Sequence, residues 1–308
     1  MAGGRDHGGG VAAAQVRWGG TDWIDLSTGI NPVPYPLPTF APEDWTALPD
    51  RPAQDALIAA ARACWSIPDG AAVLAAPGTS ALIARLPALV PPGPVSIPGP
   101  TYNEHAAAFR AHGHTPTEGT APVQVRVHPN NPDGRLWPTP EPGPLTIIDE
   151  SFCDLCPGAS HIALTTRPGT VVLKSFGKFW GHAGLRLGFA IGTADTLAPL
   201  VDWIGPWAVS GPALRLGARA LADRDWASAT RARLTRDAAR LDRLMAPHGQ
   251  VAGGTDLFRL YDVDDARALQ DRLARAAIWS RTFPYSDRWI RLGLPPEHRW
   301  DRLKEALT

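Results

Sequence analysis

The chain reads SFGKFWGHAGLRLG from residue 175 to residue 188. This stretch follows an apolar run at Thr170–Leu173 and the single residue Lys174. The apolar run predicts a buried strand, and the glycines and aromatic residues after it predict a tight loop that holds Lys178 at the strand end. Burial in such a loop, beside the cation Arg186, is expected to lower the pKa of the lysine amine, as imine formation requires. Ser175 and Arg186 add a hydroxyl and a bidentate cation, which suit a phosphate group. The segment therefore combines an imine-forming amine with a phosphate site.

The small number of lysines gives Lys178 added weight. Of the 30 basic residues only Lys174, Lys178 and Lys304 are lysines, and the others are arginines. A chain that uses arginine for ordinary positive charge retains lysine where amine chemistry is needed. A GC-rich coding bias would leave the same composition, so the count by itself does not separate the two explanations.

Two further segments carry groups that a pyridine ring would need. The run Ile147–Glu150 ends a predicted strand with Asp149, a carboxylate suited to keeping a pyridine nitrogen protonated. The segment HPNNPDG, residues 128–134, follows another predicted strand, and its amides are placed to donate to a ring phenolate oxygen. Taken singly, the first is an ordinary acid at a strand end and the second an ordinary turn. Together with the lysine segment they indicate pyridoxal 5′-phosphate (PLP) as the cofactor.

Two motifs point to other chemistry. The pattern Ser175-x-x-Lys178 is also the nucleophile motif of penicillin-recognising hydrolases, but that class requires Ser-Asp-Asn and Lys-Thr-Gly motifs, which this sequence lacks. The pattern Cys153-x-x-Cys156 is a candidate redox motif or half of a zinc site. No second cysteine pair accompanies it, so no metal site is predicted.

Composition and charge exclude several classes of protein. Hydrophobic residues make up 44% of the 308 residues and charged residues 19%, which allows a large core and argues against general disorder. The net charge is zero without a basic block, so neither nucleic acid nor an anionic membrane is an expected partner. There is no apolar run near 18 residues, no signal-peptide pattern at the start, and only three cysteines. These features predict a cytoplasmic protein.

The order of the predicted elements indicates the fold class. Strand-like apolar runs alternate with helical patterns along the first two thirds of the chain, at residues 72–76, 95–97, 123–127, 145–148, 170–173 and 187–191. This alternation predicts an α/β fold with three layers, α/β/α, and a mostly parallel sheet, followed by a smaller α+β domain. The predicted parts are an irregular N-terminal arm at residues 1–45 that packs with the small domain, a large cofactor-binding domain at 46–210 and the small domain at 211–308. Within the large domain a helix is predicted over residues 79–89. Helices predominate from about 193 to 245, with a solvated face formed by Arg231, Arg233, Arg236, Arg240 and Arg243.

On these residues the chain resembles the fold-type I PLP enzymes of the class I/II aminotransferase superfamily. The resemblance runs over nearly the whole length and is most specific at residues 178–188. It implies that Lys178 bonds covalently to the cofactor, Asp149 pairs with the pyridine nitrogen and Tyr102 stacks on the ring, these three being the catalytic residues. The complete implied cofactor site consists of Gly78, Thr79, Ser80, Tyr102, Asn131, Asp149, Ser175, Lys178 and Arg186.

Within the superfamily the chain is most similar to the threonine-phosphate decarboxylases of cobalamin biosynthesis. The similarity lies in the segments HGGG at 7–10, LSTGINP at 26–32, DESF at 149–152 and WSRTFP at 279–284. It implies a small phosphorylated amino acid, L-threonine O-3-phosphate, as the substrate and PLP-dependent decarboxylation as the reaction. The implied substrate-binding residues are His7, Gly29, Asn31, Arg281 and Arg291.

The resemblance also implies a homodimer, because fold-type I enzymes place the active site at a subunit interface. Leu48 stands where many relatives have a tyrosine that reaches the partner's cofactor phosphate. Two other functions remain open at this point. One is a PLP-dependent aminotransferase of the histidinol-phosphate type, and the other is a non-catalytic binding protein that keeps only the fold.

Overall fold

A computed structural model of the chain describes residues 6–308, and residues 1–5 of the predicted arm lie outside the described residues. Its helices are α1 (Val11–Trp18), α2 (Pro42–Thr46), α3 (Arg51–Trp65), α4 (Thr79–Ile83), α5 (Asn103–Ala111), α6 (Ala194–Ile204), α7 (Gly211–Ala222), α8 (Arg224–Met245), α9 (Ala266–Arg275) and α10 (Trp300–Leu307). None of the helices in this described part combines the length and the apolar character that crossing a membrane requires.

The strands fall into three sheets. They are β1 (Ile24–Asp25), β2 (Ala72–Ala76), β3 (Pro94–Ser96), β4 (Thr115–Thr117), β5 (Val123–Val127), β6 (Leu145–Asp149), β7 (Thr170–Ser175), β8 (Gly188–Gly192), β9 (Gly249–Thr255), β10 (Phe258–Val263), β11 (Ile278–Trp279), β12 (Arg281–Phe283) and β13 (Ser286–Gly293). Seven strands form one sheet in the order β2-β8-β7-β6-β5-β3-β4, four form a second in the order β12-β13-β10-β9, and β1 pairs with β11.

The chain divides into two compact units. Of the described residues, the terminal unit comprises 6–33, 132–135 and 229–308, and the central unit comprises 34–131 and 136–228. The predicted ends of the arm and of the large domain, 45 and 210, differ from these divisions. The reason is visible at α7, which packs on α3 within the central unit: a Cβ added to Gly217 would lie 2.7 Å from both Leu57 and Leu187.

The seven-stranded sheet of the central unit confirms the predicted α/β fold with a mostly parallel sheet. Strand β8 runs antiparallel to both of its neighbours, β2 and β7, while β3 to β7 pair in parallel. Every residue of β6, β7 and β8 is buried, as expected for strands covered on both faces. The apolar core of the unit is built on these strands and includes Val125, Ile147, Val171 and Ala190.

The four-stranded sheet of the terminal unit is antiparallel throughout. Strand β10 pairs with β9 and β13, and β13 pairs with β12. Asp265 precedes helix α9, and its carboxylate accepts the backbone N–H groups of Arg267 and Ala268 at 2.9 Å each and so caps the first turn.

Three predicted local features are wrong. The arm is not irregular throughout, because the alanine-rich segment Val11–Trp18 forms α1. The helix predicted over 79–89 ends at Ile83, and a 3₁₀ turn at Leu86–Leu89 with Pro87 near its start replaces the rest. The arginine face of α8 is not wholly solvated, since the Arg240 guanidinium stacks on the Trp300 ring at 4.4 Å.

Candidate active site

A pocket lies at the carboxyl ends of β5, β6 and β7 in the central unit. Asp149 is the last residue of β6, Ser175 is the last residue of β7, and Asn131 follows β5 by a few residues. Ends of neighbouring parallel strands meet at one edge of a sheet, where α/β folds place their ligands. The space is about 670 Å³, counted out to its open mouth, and is lined by Gly78, Thr79, Ser80, Tyr102, Val127, Asn131, Asp149, Ser151, Phe152, Ser175, Gly177, Lys178, Ala183, Arg186 and Leu187. The structure thus brings together all the cofactor residues that the resemblance implies.

One end of the pocket is built to leave room for an anion beside a cation. Gly78 has a φ of +85°, and a Cβ there would lie 2.6 Å from Nη2 of Arg186, so the site requires glycine. Likewise a Cβ on Gly188 would lie 2.4 Å from the Thr79 nitrogen. Arg186 Nη1 donates to the Ala183 carbonyl at 2.9 Å, which fixes the guanidinium. Backbone amides, hydroxyls and a cation therefore converge at this end.

The carboxylate of Asp149 is buried at another wall of the pocket, and both of its oxygens have hydrogen-bond partners. Its Oδ2 lies 2.8 Å from Nε2 of His105, and its Oδ1 accepts the backbone N–H and the hydroxyl of Ser151 at 3.0 and 2.5 Å. Burial by itself raises the pKa of Asp149, but the contacts with His105 and Ser151 outweigh it and leave the pKa below its usual value. The group is thus an anion throughout the physiological range.

Lys178 stands on a loop that aromatic packing makes rigid. Its Nζ lies 5.6 Å from the centre of the Phe152 ring, which also lines the pocket. Within the loop Phe176 and Trp180 are stacked with ring centres 5.6 Å apart, and Trp180 also stacks on Trp226 at 5.5 Å. A lysine on a fixed backbone keeps only its own side-chain freedom, which favours one position for the amine.

A second lysine, Lys174 in β7, forms a buried ion pair. Lys174 Nζ lies 2.6 Å from Oε2 of Glu150, and both side chains are at most 3% exposed. Glu150 also accepts the Ser160 hydroxyl and the His161 N–H at 2.6 Å each. Burial lowers the pKa of Lys174, but Glu150 and Asp154 reverse that effect and hold it above its usual value. Lys174 is therefore a structural cation, not a second reactive amine.

Replacing Lys174 with methionine is expected to lower the free energy of unfolding by about 3–5 kcal/mol, because Glu150 would stay buried without a counter-charge. Urea unfolding followed by circular dichroism measures the loss. The double variant Lys174→Met/Glu150→Leu, which removes both charges, should recover much of it. Equal stability of the single variant and the parent would contradict the burial argument.

The terminal unit contains the predicted substrate-binding residues. Arg281 on β12 and Arg291 on β13 stand directly opposite each other in the antiparallel pair. Arg291 is buried, and its Nη2 donates to the Ser27 carbonyl at 2.6 Å. Burial, together with the neighbouring Arg281, lowers the pKa of Arg291 to about 9. The pairing thus places two guanidinium groups next to each other on adjacent strands.

The predicted residues of the arm lie in the same unit. His7 is exposed, whereas Gly29 is buried. Asn31 is also buried, and its Oδ1 accepts Nη2 of Arg233 at 2.6 Å and the Val33 N–H at 3.1 Å. Arg233 was expected on a solvated face and instead fixes the orientation of a predicted substrate residue.

Sequence reasoning missed two residues that orient predicted site residues, His105 and Arg233. The signals available were weak, since a histidine in PTYNEH and an arginine in an arginine-rich helix have many ordinary explanations. Their partners Asp149 and Asn31 are 44 and 202 residues away along the chain. Such pairings arise from tertiary packing, and no local sequence pattern predicts them.

The cysteine motif has no visible role in the site. Cys153 is buried and its Sγ lies 3.6 Å from the Cys156 carbonyl, and burial together with Cys156 raises the pKa of its thiol. All three cysteines are free thiols. Across residues 6–308 no cluster of histidine, cysteine or acidic residues is suited to a metal ion.

Comparison with known proteins gives consistent results. The family model of aminotransferase class I and II matches residues 125–308. The chain is 41% identical to a threonine-phosphate decarboxylase of Sinorhizobium sp and 39% identical to one of Pseudomonas aeruginosa, each match covering 98% of this chain and 97% of the relative. The fold superposes with a TM-score of 0.83 on the histidinol-phosphate aminotransferase of Sinorhizobium meliloti in complex with pyridoxal-5′-phosphate, at 21% identity over 97% of this chain and 93% of that one.

Proposed function

The chain belongs to the aminotransferase class I and II family, and on that premise we propose that it is a PLP-dependent carbon–carbon lyase of cobalamin biosynthesis. It decarboxylates L-threonine O-3-phosphate to (R)-1-amino-2-propanol O-2-phosphate. The observation that carries this function is identity of about 40% to two threonine-phosphate decarboxylases over nearly the full length of both chains.

The cofactor of the family, PLP, fits the pocket of the central unit. The glycine turn at Gly78, which a Cβ would fill, leaves a cradle beside Arg186 for the phosphate. Asp149, buried and anionic, suits a protonated ring nitrogen. Lys178 is the lysine among the described lining residues and would hold the aldehyde carbon. Thr79, with Ser80 and Ser175, would complete the phosphate contacts, while Asn131 and Tyr102 would contact the ring oxygen and the ring face.

When bound, PLP supplies an aldehyde that captures the substrate amine and a ring that accepts the electron pair of the broken bond. Asp149 would keep a proton on the ring nitrogen, because its contacts with His105 and Ser151 hold its carboxylate in the charged form. In the reaction the bond between Cα and the carboxylate breaks, CO₂ leaves and one proton is added at Cα. The amine of Lys178 would deliver that proton.

The substrate itself carries two anionic groups, which match the two facing arginines of the terminal unit. Arg291, with Gly29 and Asn31, would bind the α-carboxylate, and Arg281 with His7 would bind the phosphate. The grip on the carboxylate decides which bond at Cα breaks and so separates decarboxylation from transamination. Its Ser27 contact and burial give Arg291 the fixed position that this role needs.

Product analysis with L-threonine O-3-phosphate tests the function. The purified holoenzyme should release CO₂ and aminopropanol phosphate without a keto-acid acceptor, and unphosphorylated threonine should be a far poorer substrate. Turnover that depends on an acceptor and releases no CO₂ would establish the aminotransferase of the histidinol-phosphate type instead. A protein that develops no visible absorbance band with PLP would indicate a non-catalytic binding protein.

We further propose a cytoplasmic homodimer. Large apolar side chains are exposed on the central unit at Trp45, Leu48, Trp203 and Trp207, with 43–68% of each accessible. Large aromatic side chains are enriched in subunit interfaces, and these residues are therefore candidates for one. Size-exclusion chromatography with light scattering should give twice the 32.9 kDa chain mass. A monomer at concentrations where the enzyme is active would contradict the proposal.

A further inference from the structure

The first described residue of the chain forms an ion pair with an arginine of the four-stranded sheet. Oδ2 of Asp6 lies 2.8 Å from Nη2 of Arg281, and the same Nη2 donates to the Asp6 backbone carbonyl at 3.0 Å. The Arg281 side chain is 11% exposed and the Asp6 side chain 43%. The carboxylate thus covers the cation from the solvent side.

The segment that carries Asp6 is fixed to the same unit by two further hydrogen bonds. The Gly9 N–H donates to the Ser27 hydroxyl at 2.6 Å, and the Trp279 indole donates to the Gly9 carbonyl at 2.9 Å. Because these bonds involve the backbone at Gly9, the Asp6 side chain can leave Arg281 without releasing the arm.

Arg281 needs a counter-charge when no substrate is present. It faces Arg291 across the β12–β13 pair, and like charges placed opposite each other in a sheet repel. Burial of Arg291 leaves little water to screen that repulsion. Asp6 offsets it by bringing a negative charge into direct contact with Arg281.

We propose that Asp6 is a replaceable counter-ion, which the phosphate of the substrate displaces from Arg281, and that Asp6 thereby sets the selectivity for phosphorylated substrates. The inference rests on the proposed function, in which Arg281 binds the substrate phosphate. A phosphate oxygen bonded to Nη2 would meet the Asp6 carboxylate at close range, so the two anions compete for one donor. The interaction of a phosphate dianion with Arg281 is stronger than the Asp6–Arg281 ion pair that it replaces. The interaction of a hydroxyl, such as that of threonine, with Arg281 is weaker than that ion pair.

Substituting Asp6 with asparagine tests the competition. The KM for L-threonine O-3-phosphate and the inhibition constant of inorganic phosphate should both fall by about three- to tenfold, with kcat unchanged, because the charge that opposes phosphate is gone. Phosphate binding measured by calorimetry should tighten by the same factor, which gives a readout independent of turnover. Asp287→Asn is the matched control, since that carboxylate is 91% exposed, pairs loosely with Arg267 at 3.9 Å and should change neither constant.

The direction of the change decides the outcome. An unchanged or higher KM and phosphate constant in Asp6→Asn would overturn the inference and show that Asp6 positions Arg281 without competing. The variant Arg281→Gln separates this from a failure of the proposed function. If Arg281→Gln also leaves both phosphate constants unchanged, then the phosphate site itself is assigned wrongly, whatever Asp6 does.

Discussion

Replacing Lys178 with alanine should lower the rate of decarboxylation by about four orders of magnitude or more. A loss of this size is expected when an enzyme loses the amine that bonds its cofactor. The other two lysines cannot take over. Lys174 is bonded to Glu150 and buried, and Lys304 lies exposed on α10 in the terminal unit. A small amine added to the solution could take the place of the missing side chain, but it lacks the fixed position that the aromatic loop gives Lys178.

Absorbance spectra and single-turnover kinetics measure this effect. The band near the visible edge that PLP gives with the parent protein should be abolished in Lys178→Ala, while unfolding by urea should change little because the side chain is half-buried. Lys178→Arg, which keeps the charge without a nucleophilic amine, should be equally inactive. The control Lys304→Ala makes the same change outside the pocket and should keep full activity. A persistent band in Lys178→Ala would place the covalent attachment elsewhere.

The cofactor site could be predicted from the sequence because each of its parts is local. One strand and the loop after it contain Ser175, Lys178 and Arg186. Asp149 is the last residue of another strand, which the apolar run before it predicts. Parallel strands bring such ends to one edge without further information. Short apolar runs therefore predicted the strands at 72–76 and 123–127 with the bounds that the structure has.

The supporting contacts could not be predicted in this way. The pairs His105–Asp149 and Arg233–Asn31 join segments that are distant along the chain, and only the packing of α5 on the sheet and of α8 on the arm creates them. The arginine pattern of α8 predicts a solvated face, whereas Arg233 and Arg240 on that face both have partners. Periodicity gives the face of a helix, and the neighbour on that face is a property of the whole fold.

Replacing Asp149 with asparagine should lower kcat by about 10²- to 10³-fold with a smaller change in KM, since the loss falls on the electron-accepting step. Asparagine keeps the shape of the side chain and can still accept from Ser151, but it has no charge to keep a ring nitrogen protonated. The measurement is steady-state kinetics on the phosphorylated substrate, with the pH dependence of the cofactor band as a second readout. Asp154→Asn is the control, because Asp154 lies in the segment directly after β6 and accepts the indole N–H groups of Trp65 and Trp180. That change should reduce stability while leaving the cofactor band in place.

The Asp149 carboxylate should also affect the free energy of unfolding at acid pH. The pKa of Asp149 is lower in the folded chain than the usual 3.8, so the group stabilises the fold above that pH and the contribution is lost as the pH falls through the folded value. In Asp149→Asn this contribution is absent at every pH, and unfolding free energies should differ most from those of the parent near neutrality and converge in strong acid. His105 is the partner that sustains the effect, and His105→Gln should therefore shift the cofactor band with pH in the same direction as Asp149→Asn, but less. A His105 variant with an unaltered band would mean that Ser151 alone keeps the carboxylate charged.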